Sequence, residues 1–99
     1  QIAQLEQQDL NEKMMLELSQ ASNNLSEAQS EVALCQTALE QAAENMRLSK
    51  QQYEVGFEPL SDYLEAQALW QQASSNLVQA KAQLSLAKTK YQKAKGELF

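Results

Sequence analysis

The chain has one thiol, Cys35, and a regular series of carboxylates at Glu27, Glu31, Glu40 and Glu44. A thiol becomes a catalytic nucleophile when a neighbouring base takes its proton, and carboxylates serve as metal ligands beside imidazoles. The chain has no histidine, so it offers no ordinary triad and no histidine-based metal site. Cys35 falls in a row of small residues, where a thiol behaves as a slightly larger alanine. The four glutamates recur at helical spacing on an outward face, the pattern of a solvated surface. There is no glycine-rich phosphate loop. Tyr53, Tyr63, Trp70 and Tyr91 share the rhythm of the apolar residues and read as packing groups rather than a ligand box. No catalytic, cofactor-binding or metal-ligating residue is therefore assigned, and an enzyme is not expected.

One stretch is richer than its surroundings. It runs Tyr53-Glu54-Val55-Gly56-Phe57-Glu58-Pro59-Leu60-Ser61-Asp62-Tyr63. Gly and Pro alone would close a turn. Phe57 adds a large apolar side chain at an exposed bend, which marks a contact surface.

Two long elements must carry that bend. Large residues recur every seven positions at Leu18, Leu25, Val32, Leu39, Met46 and Tyr53, with Ala21, Ala28, Cys35, Ala42 and Ser49 between them. After Gly56 and Pro59 the rhythm resumes at Tyr63, Trp70, Leu77, Leu84, Tyr91 and Leu98, with Ala66, Ala73, Ala80, Ala87 and Ala94 between. Steps of three and four residues bring each series to one side of an α-helix. The expectation is an all-α fold: a single long antiparallel two-helix coiled-coil hairpin over residues 1–99. Its helices span about 3–54 and 60–97, roughly 75 Å and 55 Å of rise, and its turn spans about 55–59. Gly56 suits the left-handed end of the first helix. Pro59 suits the first turn of the second, where Asp62 and Glu65 favour the helix dipole. Gly96 reads as a second helix end.

Packing follows from the same rows. With large side chains nested over small ones, Met46 is expected near Ala73, Leu39 near Ala80 and Val32 near Ala87, and a register one heptad different keeps the same nesting. The antiparallel arm also brings Lys81, Lys88, Lys90, Lys93 and Lys95 alongside Glu27 and Glu31, each exposed pair adding about 0–1 kcal/mol. A second stripe lies off the seam at Leu64, Ala68, Val78, Ala82 and Leu86, with Leu34, Ala38 and Leu48 on the first arm. One helix pair cannot cover both stripes, so further helices are expected against this chain, and self-association with them.

The net charge is −5 over 99 residues, without the basic stripe a nucleic-acid binder needs. No run approaches the roughly 20 apolar residues of a membrane span, so this segment is expected to make no direct membrane contact. The chain starts at Gln1, inside its own pattern, and reads as a fragment of a longer protein.

The run Ala43-Glu44-Asn45-Met46-Arg47-Leu48-Ser49-Lys50-Gln51-Gln52-Tyr53-Glu54-Val55-Gly56, followed by Ser61-Asp62-Tyr63-Leu64-Glu65-Ala66-Gln67, resembles the TolC-like outer-membrane efflux proteins. Their pattern is a helix ending in Tyr-x-x-Gly, a short polar turn, then an acidic residue, an aliphatic pair and Ala-Gln. The spacing of Ala73, Leu77, Ala80, Leu84, Ala87, Tyr91 and Gly96-Glu97-Leu98 fits as well, so the resemblance covers roughly residues 36–98. It implies a trimeric parent with an outer-membrane β-barrel and a periplasmic α-helical barrel, serving multidrug efflux or type I secretion. This chain would be one periplasmic hairpin of that barrel in a Gram-negative envelope. Its tip, at Tyr53, Gly56, Phe57, Glu58, Pro59, Ser61 and Asp62, would form the entrance and meet a periplasmic adaptor protein linked to an inner-membrane pump. Family members often carry Ser or Thr three residues after the glycine, and some carry a basic residue just before that position. Here Pro59 and Glu58 stand there, so the loop supplies no cation for a gating ion pair. The alternatives are the α-hairpin of an adaptor protein and a cytoplasmic coiled-coil scaffold without a transport role.

Overall fold

Every turn of both arms closes its own backbone hydrogen bonds, because the chain is rich in helix-forming residues and its one proline and Gly56 stand at the bend. A computed structural model describes the backbone of residues 2–98 and the side chains of residues 12–96. Helix α1 runs Ile2–Glu54 and helix α2 runs Leu60–Leu98. The fold is all-α, two long helices packed antiparallel. Gly96 lies within α2 and not at its end, and its φ is not positive. The expectation of a second glycine cap there is corrected: nothing about an isolated glycine in a helical run forces the chain out of the helix.

The helices contribute to two compact units, one formed by Glu31–Lys81 and one by Gln1–Ser30 with Ala82–Phe99. In the first, the tip unit, the heptad rows meet along a seam. Leu77 and Ala80 are 7% and 4% exposed, and Ser49 is 7% exposed. Val32, Cys35, Leu39, Ala42, Met46, Tyr63, Ala66, Trp70 and Ala73 are half-buried, whereas Leu34, Leu48, Leu64 and Val78 are exposed. The apolar rows therefore divide as their spacing requires, one row covered and one bare.

At the bend the rings of Tyr53 and Tyr63 lie 5.7 Å apart, tilted by 56°, within the range of favourable aromatic pairs. Side chains on two antiparallel helices lean in opposite axial directions, so this contact joins the two arms without putting their backbones level residue for residue.

In the second unit Leu18, Ala21, Leu25, Ala28, Leu84, Ala87, Tyr91 and Ala94 are half-buried. A groove of about 470 Å³ runs there over Ala21, Ala28, Ala87 and Ala94, with Lys90 and Lys93 on its rim. Among the described residues the ion pair is Arg47–Glu44, within α1. The lysines of this unit therefore do not bridge Glu27, because exposed ammonium and carboxylate groups gain little over their hydration.

Candidate docking tip

The bend begins with a glycine-dependent helix end. Gly56 has φ +85°, the left-handed conformation that costs other residues about 1–2 kcal/mol. Its N–H donates to the carbonyl of Tyr53 (3.1 Å), and the Phe57 N–H donates to the carbonyl of Gln52 (2.8 Å). These two bonds make a Schellman motif, which satisfies carbonyls that α1 leaves open. No basic residue lies in the last turn of α1, so the backbone motif, and not a cation, closes this end. Pro59 begins the return. Its carbonyl accepts from Asp62 N–H (3.1 Å) and Tyr63 N–H (3.4 Å), which places Pro59 just before the first residue of α2, Leu60.

In a Schellman motif the residue after the glycine ordinarily packs back onto the helix. Phe57 does not. It is 86% exposed, and the residue it would cover three positions from the helix end is Gln52, a polar side chain. Burying a phenylalanine gains about 1.5–3 kcal/mol, and the tip forgoes that gain. Val55, Leu60 and Leu64 are also exposed, and Tyr53 is 41% exposed. Tyr53, Gly56, Phe57, Pro59, Ser61 and Asp62 are exposed.

Glu58 is the exception. From Lys50 to Asp62 it alone is not exposed. The Ser49 hydroxyl donates to its Oε1 at 2.6 Å, a charge-assisted bond of the shorter and stronger kind. The sequence places Ser49 in the row of small seam residues and not in the tip. The available signal was that Ala21, Ala28, Cys35 and Ala42 are followed at the last small position by a hydroxyl. Beside this bond lies a groove of about 420 Å³ walled by Leu48 and Leu69 and edged by Glu58, Asp62 and Glu65.

Elsewhere the polar contacts are local. Arg47 donates from Nε to Glu44 Oε2 at 3.1 Å and from a second nitrogen to Oε1. This fork holds the Glu44 carboxyl below its ordinary pKa and raises that of Arg47. The Cys35 thiol donates to Glu31 Oε1 at 3.6 Å. Burial in the seam, then the Glu31 charge, then this hydrogen bond push the thiol up, which disfavours the reactive thiolate relative to a free cysteine. Among the described residues no group of three or more histidines, cysteines or carboxylates is placed to hold a metal ion.

A family model for outer membrane efflux proteins matches residues 1–97. The chain belongs to the outer membrane efflux protein family. No curated protein and no solved structure matches it. Membership makes it a component of a TolC-like efflux channel, which works in association with the rest of an efflux system and carries out no chemical step. It also separates the chain from the adaptor hairpin and the cytoplasmic scaffold. In the efflux protein's described residues no helix is long and apolar enough to cross a membrane.

Proposed function

We propose that this hairpin is a stave in the wall of the periplasmic tunnel of a trimeric efflux channel, and that its tip forms the tunnel entrance and docks a periplasmic adaptor protein. Transport through the assembled pore is passive, and the energy comes from an inner-membrane pump reached through the adaptor. The exposed stripe at Leu34, Leu48, Leu64, Val78 and Leu86 supports the stave, because neighbouring hairpins in a barrel would cover it. The observation that carries the docking role is Phe57, held 86% exposed at the bend while Glu58 turns inward. Phenylalanine, like the other aromatics, is enriched at protein interfaces relative to the rest of the surface.

Photo-crosslinking from position 57 of the channel in cells tests this reading. The expected product joins the channel to its adaptor protein. Products confined to other channel copies, or absent with the adaptor present, would overturn the docking role. The uncovered stripe has its own test. Sedimentation of the 99-residue chain is expected to show concentration-dependent self-association. A monomer across a wide concentration range would remove the argument for neighbouring staves.

A further inference from the structure

The tip reverses the usual order of burial: a glutamate points in and the phenylalanine next to it points out. Two constraints hold it so. The Schellman bonds to the Gly56 and Phe57 amides fix the backbone up to Phe57. The Ser49 hydroxyl then holds the Glu58 carboxylate at 2.6 Å, across nine residues of chain. A part-apolar destination for Phe57 lies close by, in a groove where Leu48, Ala66 and Leu69 alternate with Asn45, Gln52, Asp62 and Glu65 and which Glu58 edges. With Glu58 held at that groove, the adjoining ring is kept out of it.

We propose that Ser49 is a positioning residue: by binding Glu58 it keeps the groove closed to Phe57 and so presents the ring to a partner. The partner surface this fits is an apolar pocket sized for one aromatic ring, with basic groups at its edge to meet Glu54, Asp62 and Glu65. The inference rests on the docking role proposed above for what the ring binds, but not for what holds the ring outward. Alanine occupies the equivalent small positions at 42 and 66, so losing the hydroxyl does not disturb the seam.

The test uses the full chain with 4-fluorophenylalanine at position 57 and reads the fluorine solvent-isotope shift between H2O and D2O. A full shift is expected in the parent chain and in Glu58→Gln, whose amide oxygen still accepts from Ser49. Ser49→Ala is expected to reduce the shift, with unchanged helix content and Tm. In the second arm, the affinity for the purified adaptor protein of the same efflux system is measured. Ser49→Ala is expected to weaken it about tenfold, the cost of a poorly held anchor, and Glu58→Gln about twofold or less. An unchanged fluorine shift in Ser49→Ala would overturn the inference. So would a shift that falls only in step with lost helix content. If Phe57→Ala leaves adaptor binding intact, the docking role fails, while the fluorine result still decides whether Ser49 holds the ring.

Discussion

The tip unit and the unit at the chain ends use one heptad rhythm and reach different degrees of burial. All three buried residues among those described, Ser49, Leu77 and Ala80, lie in the tip unit. In the other unit the same kinds of residue are only half-buried, and its alanine-floored groove stays open. The tip unit has a turn, a Schellman motif and the tethered Glu58 to tie its helices together. The end unit has its seam alone. Rhythm decides which face is covered; how completely it is covered varies along the seam, with Leu77 and Ala80 the deepest apolar positions, well away from the bend.

Truncation is the strongest way to break that comparison. Leu77→Ala is expected to cost about 2–3 kcal/mol in urea unfolding, near the low end for a buried leucine because the seam is thin. Leu84→Ala in the end unit is expected to cost about 1 kcal/mol, since less surface is covered. Equal losses would erase the distinction. Gly56→Ala comes next, at about 1–2 kcal/mol. A methyl at Gly56 meets nothing within 4 Å, so the cost is one of backbone conformation and asparagine is expected to recover part of it. Phe57→Ser is expected to change stability by about 0.5 kcal/mol or less, because the ring is exposed, while weakening adaptor binding. A large stability loss would mean that the ring packs at home.

The smallest effects concern titration. The Arg47 fork lowers the Glu44 pKa, so its contribution is present above the ordinary carboxylate value and fades as pH falls through and below it. Glu44→Gln is expected to remove a slight stability advantage at neutral pH and to leave acid stability unchanged. The raised Cys35 thiol is expected to alkylate more slowly than a free cysteine at neutral pH. Unfolding in urea is expected to abolish that difference.

The residues of the seam were legible because a seven-residue period names a helix face, and Leu25, Val32, Leu39, Leu77 and Leu84 all lie on the covered one. The turn was legible because Gly56 and Pro59 restrict the backbone in opposite ways. The axial level was not, because a period is unchanged by sliding one helix a heptad along the other. Nor was the inward turn of Glu58 legible. The exposure of Phe57 follows from its place at the bend, but the sequence groups Glu58 with the same exposed tip, and the hydroxyl of Ser49 supplies the partner that draws it in.

The hairpin depends on two antiparallel arms sharing one seam within a single chain, and paired cysteines test that directly. In a Cys35→Ser background, Ala42→Cys and Ala73→Cys, both on the covered face, are expected to be joined within one chain by a short bifunctional thiol crosslinker. Links formed only between chains, at any dilution, would contradict the account.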